Sequence, residues 1–360
     1  MTVARKHIAQ MAPYALAELT VPDGVPLISL SQNECFRPPS PAAVCAAHDA
    51  ASAGALYPDP EWTELRAVLG DLHGIPASGI LCGNGSLDLI GCIARVFSGS
   101  NRSVLAPAHA YPFFSVATRL ANARFDTAPE DRMTVSVDRM IDAVRPDTGV
   151  VFIANPGNPT GTHIPKSELQ RLRGALRSDI LLVIDEAYGE FSDTAGETCF
   201  DMVAAGNTAI LRTFSKAYGM AGFRTGWGLF PPEVGRELRK VMNPNNVASV
   251  SQAAAVAAIK DQSYMRETCA LTTALRTDVT TSLRQGGFDV LHSFTNFVLI
   301  DMAHEKAAGD AFAALKAKGI FLRPQTGAGL PQALRMTIGP DAANQVAVTG
   351  LLHWKKEYSE

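Results

Sequence analysis

Four short apolar runs in this chain each stop at a cluster of polar residues, and that recurring arrangement constrains the fold most. The clusters are Gly83-Asn84-Gly85-Ser86, Asn155-Pro156-Gly157-Asn158-Pro159-Thr160-Gly161, Asp185-Glu186-Ala187-Tyr188 and Thr213-Phe214-Ser215-Lys216. Around them, strand and helix patterns alternate through residues 103–106, 112–121, 149–154, 167–176, 180–184 and 208–212. Such alternation predicts an α/β fold with a mainly parallel sheet covered by helices on both faces. In open parallel sheets ligands bind beyond the carboxyl ends of the strands. The four clusters are therefore expected to converge on one pocket.

Each cluster suits a particular job. Lys216 follows the apolar run Ala209-Ile210-Leu211, and a lysine at a buried strand end is costly to desolvate unless its amine is needed. Schiff-base formation is one such need, and the hydroxyls of Thr213 and Ser215 with the fork of Arg224 suit a phosphate beside it. That combination is what pyridoxal phosphate requires; a solvated Lys/Ser turn is the alternative. Gly83 to Ser86 opens a helix, where free N–H groups and the helix dipole can hold a phosphate, or it is simply a glycine turn. Asp185, after four apolar residues, needs a cation that a protonated pyridine nitrogen would supply; otherwise it caps a helix. Asn158 and Tyr188 can hydrogen-bond the phenolic oxygen of such a cofactor, although Asn158 could equally be a turn former between prolines.

At 360 residues the chain is too long for one small core, and two domains are expected. Hydrophobic residues at 47% and charged residues at 19% describe an ordinary globular protein, and a net charge of −3 gives no reason to expect nucleic acid or a membrane surface as partner. Six cysteines without a C-x-x-C pair read as reduced thiols, and eight histidines without ligand spacing predict no metal site. With no apolar signal core or spanning run, the cytoplasm is the expected location. Residues 1–40 are proline-rich and irregular and read as an arm packing on something larger; residues 41–245 form the larger unit and 246–360 a smaller α+β unit. A single long helix is predicted over 249–285, joining the two.

Taken in order and spacing, these motifs make the chain resemble the fold-type I pyridoxal phosphate aminotransferases, most closely the histidinol-phosphate aminotransferases. The resemblance also rests on Asn33-Glu34, Tyr57-Pro58-Asp59, Arg224 and Leu334-Arg335-Met336-Thr337-Ile338-Gly339, and it runs from about Ile8 to the C-terminus. It implies a seven-stranded-type sheet sandwiched by helices. It further implies pyridoxal 5'-phosphate carried on Lys216, which later shuttles a proton, with Asp185 at the pyridine nitrogen. Ser215, Arg224 and the Gly85-Ser86 backbone would bind the phosphate with Thr213 close by, and Tyr57 would reach it from the other subunit of a homodimer with shared sites. An aromatic residue of Tyr111-Pro112-Phe113-Phe114, taken as Phe114 with Tyr111 the alternative, would stack on the ring, and Arg335 would clamp the substrate α-carboxylate.

The sequence departs from the family at Cys35-Phe36, at Leu87, and at Phe114 where tyrosine is usual. None of these touches the imine chemistry; all touch substrate choice. The expected reaction moves an amino group between an L-amino donor and a 2-oxo acid such as 2-oxoglutarate. Tyr14 and Arg323 match family residues near the substrate's distal end, and a phenol with a guanidinium suits the phosphate of histidinol phosphate. Phe114 and Phe36 would instead favour an aromatic amino acid. The rival readings are a lyase of the threonine-phosphate decarboxylase type, whose glycine- and histidine-rich N-terminal segment is missing, and a non-catalytic effector-sensing domain, which would need a basic DNA-binding segment in front.

Overall fold

In a computed structural model, residues 2–13, 19–21, 24–192 and 197–359 are described. In chain order the strands are β1 (Ile28–Ser29), β2 (Ile80–Gly83), β3 (Ser103–Pro107), β4 (Phe125–Ala128), β5 (Thr148–Ala154), β6 (Leu181–Asp185), β7 (Thr208–Thr213), β8 (Gly226–Leu229), β9 (Asp289–Val290), β10 (Phe297–Asp301), β11 (Ile320–Phe321), β12 (Arg323–Gln325) and β13 (Leu330–Thr337). Seven of them form the large sheet in the order β2-β8-β7-β6-β5-β3-β4. β5 and β6 are apolar along almost their whole length and β7 through Ala209-Ile210-Leu211, and all three are buried, as strands covered by helices on each side must be. Only β8 runs against its neighbours, pairing antiparallel with both β7 and β2. The sheet is therefore mainly parallel and seven-stranded, as expected. Sequence patterning did not single out β4 and β8, which are short and carry Asp126 or two glycines.

Ladder register fixes which turns are neighbours. Ala154 pairs with Asp185, and Asp185 pairs with Leu211, so β5, β6 and β7 end along one edge. Gly226 of β8 lies opposite both Thr213 and Gly83, which brings the end of β2 to that same edge. All four polar clusters thus sit side by side.

The helix expected over 249–285 is two helices, Ser249–Lys260 and Gln262–Gln285. Asp261 leaves the helical region (φ −102°, ψ 62°), and its carboxylate accepts the N–H of Tyr264 at 3.3 Å, so an N-cap restarts the chain in a new direction. The first of the pair packs its small side chains, Ala254, Ala255 and Ala258, against the alanine-rich helix Pro41–Ala51. Beyond it, β12-β13-β10-β9 form an antiparallel sheet, backed by the helices Glu305–Lys316 and Asp341–Ser359. Buried apolar side chains fall mainly into two clusters, one around the large sheet and one around this smaller sheet. The arm adds β1 to β11 in parallel, with Ile28 opposite Ile320, and Leu30 enters the smaller cluster.

Candidate active site

A cavity of about 360 Å3 lies at the shared strand edge. The structure brings to it Gly85, Ser86, Asn158, Asp185, Tyr188, Thr213, Ser215, Lys216, Arg224, Arg323 and Arg335, all singled out from sequence. Tyr57 is 88% exposed and does not line the cavity of its own chain. Tyr14 lies outside the described residues.

Phe114 requires a correction. It sits in the helix Pro112–Leu120, whose buried face is Phe114, Ala117 and Thr118, the i, i+3, i+4 spacing of a core stripe. Its ring is fully buried and stacks on Phe152 at 4.6 Å. Burial of such a ring stabilises by about 1.5–3 kcal/mol and the stack by about 0.5–1.5 more, which holds it in the core. Tyr111, just ahead of the proline that opens this helix, lines the cavity instead.

At the sheet edge, Lys216 is half-buried and its Nζ donates to the Asn33 carbonyl at 2.9 Å. Desolvation lowers its pKa to about 8, with Arg335 and Arg224 pushing the same way against Glu34 and Asp185. Asp185 is buried, and desolvation raises its carboxyl to about 7 despite the N–H that Ala187 donates at 3.1 Å. That bond is the turn-capping role considered for Asp185, and burial keeps the carboxyl elevated beside it.

The turn from β2 is held against Arg224. A Cβ on Gly85, which has φ +80°, would stand 2.7 Å from Arg224 Nη2, and one on Gly226 would collide with the Ser86 amide nitrogen. Glycine is needed at both positions so that the turn, β8 and the guanidinium can close together. Arg224 Nη1 reaches Ser215 Oγ at 3.4 Å, and Ser86 begins the helix Ser86–Phe97 with its first-turn N–H groups at the cavity. Hydroxyl, guanidinium and helix N-terminus together form an anion cradle.

Across the cavity, Tyr188 OH accepts from Asn33 Nδ2 at 2.8 Å and Asn158 Nδ2 at 3.5 Å. Asn158 in turn accepts from Arg335 Nη1 at 2.7 Å, and Arg335 Nη2 donates to the Ser31 carbonyl at 2.9 Å. Arg323 of β12 lies directly opposite Arg335 of β13, so both guanidiniums project from one face of the small sheet. Sequence reasoning had quoted Asn33 and Glu34 only as a motif; with Ser31 and Gln32 they line the cavity, and Gln325 joined them without any sequence signal.

A family model described as aminotransferase class I and II matches residues 25–351. The chain belongs to this family. Curated relatives include the histidinol-phosphate aminotransferases of Paramagnetospirillum magneticum, 38% identical over 96% of this chain and 97% of the relative, and of Rhodospirillum centenum, 37% identical over 97% of each. Among solved structures, the histidinol-phosphate aminotransferase of Sinorhizobium meliloti in complex with pyridoxal-5'-phosphate superposes with a TM-score of 0.93 at 28% identity, covering 99% of both chains. The Thermus thermophilus aspartate aminotransferase with maleate, at 19% identity and a TM-score of 0.86 over 98% of this chain and 100% of its own, shares the aminotransferase fold. Among the described residues of this aminotransferase no side-chain cluster could hold a metal ion, and no helix is long and apolar enough to cross a membrane.

Proposed function

We propose that this aminotransferase uses pyridoxal 5'-phosphate to transfer an amino group from histidinol phosphate to a 2-oxo acid. The observation that carries the reading is the meeting of Lys216, Asp185 and the Gly85-Ser86-Ser215-Arg224 cradle in one cavity. Those residues fit the cofactor: a lysine amine lowered to about 8, a buried carboxyl raised to about 7 with room for a cationic ring nitrogen, and phosphate donors at the turn. Bound there, the cofactor supplies an electron sink for the bonds of the substrate Cα.

The residues then divide the work. Lys216 would hold the cofactor through its amine, and that amine, when free, would carry a proton between the substrate Cα and the cofactor. Asp185 holds the proton on the ring nitrogen. Tyr188 and Asn158 hydrogen-bond the phenolic oxygen, and Tyr111 covers the ring in place of Phe114. Arg335, oriented by Asn158 and the Ser31 carbonyl, would take the phosphate-bearing arm that histidinol phosphate has on Cα in place of a carboxylate.

For the distal end, the support is the cross-strand pair Arg323 and Arg335. Both guanidiniums line the cavity, and two such forks on one face suit an anionic substrate group such as a phosphate. With Tyr111 in the cavity and neither Phe114 nor Phe36 lining it, an aromatic donor loses its support. Assembly as a homodimer is favoured by Leu56 and Tyr57, 74% and 88% exposed on one turn, which suit insertion into a partner's cavity. Six cysteines without a disulfide among them favour the cytoplasm.

A half-reaction screen tests the donor. Histidinol phosphate is expected to bleach the cofactor absorbance faster than phenylalanine or aspartate; no bleaching by it would remove this donor and leave the family assignment standing.

A further inference from the structure

Strand alternation sends Thr213 to the cavity and Arg212 to the opposite face of β7. There Arg212 Nε and Nη2 donate to Glu186 Oε2 at 2.9 and 2.6 Å, and Nη1 donates to Glu190 Oε1 at 3.1 Å. The three side chains are no more than 8% exposed. The other oxygen of Glu186 accepts the N–H of Cys199 at 3.2 Å. The guanidinium lies so close beneath Gly189 that a Cβ there would be 2.5 Å from Arg212 Cζ. One cation thus grips both ends of the short turn from Glu186 to Glu190, and Tyr188 stands in its middle.

Burying one cation with two carboxylates is costly compared with apolar packing, so this cluster is poor value as a stabiliser and better explained by what it orients. Arg212 and Glu186 each adjoin a cavity-lining residue, Thr213 and Asp185, and the turn they grip carries Tyr188 into the cavity. The Tyr188 hydroxyl must meet Asn33 Nδ2 at 2.8 Å, and a displaced turn would take it away.

We propose that Arg212, Glu186 and Glu190 form a positioning unit that holds the turn carrying Tyr188, and that they act on the reaction through Tyr188 without touching substrate. This rests on the role given to Tyr188 above. The test is a double-mutant cycle on cofactor-loaded protein, reading cofactor content, kcat, KM and the pH midpoint of the cofactor's visible absorbance. Tyr188→Phe removes a donor to the phenolic oxygen and is expected to raise that midpoint. Arg212→Lys keeps the charge but loses the fork that reaches both carboxylates. It is expected to raise the midpoint as well and to lower kcat about 100-fold with KM little changed. Added to Tyr188→Phe, it is expected to have almost no further effect.

If Arg212→Lys does not fold, the isosteric Glu190→Gln takes its place in the cycle, with an expected loss of about tenfold in kcat. An unmoved midpoint in the Arg212 or Glu190 variant, or effects that simply multiply with those of Tyr188→Phe, overturns the positioning unit alone. An unmoved midpoint in Tyr188→Phe overturns the role of Tyr188, and the unit with it.

Discussion

At one end of the cavity Asp185, Thr213 and Gly83 are set by strand register within a single sheet. At the other end Arg323 and Arg335 come from a second sheet, and Ser31, Gln32, Asn33 and Glu34 come from the arm. The first end is fixed by the core of one layer. The second is assembled from two pieces distant in sequence, the small sheet and the arm: Asn296 Nδ2 ties the arm through the Asn33 carbonyl at 3.1 Å, and Thr337 Oγ1 accepts the Asn33 N–H at 2.9 Å. On the proposed reading, the division puts the cofactor chemistry on the sheet end and substrate choice on the assembled end.

Breaking the sheet end should cost most. Asp185→Asn removes the carboxylate proposed to hold the ring-nitrogen proton, and a kcat loss of roughly 4–7 kcal/mol is expected at ~1.4 kcal/mol per tenfold, equally for every donor. Retention of more than about a tenth of the rate would reduce Asp185 to its bond with Ala187. Breaking the assembled end should instead discriminate. Arg323→Ala is expected to cost ~2–5 kcal/mol in kcat/KM for histidinol phosphate while sparing phenylalanine as donor; equal losses would mean that the guanidinium reads no phosphate.

A pH measurement sharpens the sheet end further. Only the deprotonated amine of Lys216 can attack the cofactor, so attachment to cofactor-stripped protein should speed up as pH rises, half-maximally near the lowered value of about 8. A midpoint near that of an ordinary lysine would show that the strand edge does not desolvate the amine. The smallest effect is expected from Tyr57→Phe, which would delete the hydrogen bond proposed to reach the phosphate from the other subunit, about 1.5–3 kcal/mol in cofactor affinity. Mixed with Lys216→Ala subunits, it should regain one intact site per heterodimer. A fully active monomer in light scattering would remove the shared site.

The sheet end was legible because strand ends announce themselves: an apolar run followed by Asp185, Thr213 or Gly83 carries both its structure and its chemistry in adjacent residues. The assembled end was harder. Gln325 belongs to a three-residue strand and carries no local signal, and Asn33 reaches the cavity through contacts some three hundred residues away in sequence, with Asn296 and Thr337. Phe114 was misplaced because a run of aromatics, Tyr111-Pro112-Phe113-Phe114, gives no indication of which ring faces inward until the helix phase set by Pro112 is known. The break at Asp261 was similarly hidden, since both flanking segments are good helices and only the capping bond to Tyr264 separates them.

Lys216, three residues beyond β7, is the residue proposed to carry the cofactor. Borohydride reduction of the yellow protein followed by peptide mapping tests it directly. The account predicts a single pyridoxyl-bearing peptide spanning Lys216, and none from Lys216→Ala protein that still binds cofactor; a label on any other lysine would contradict it.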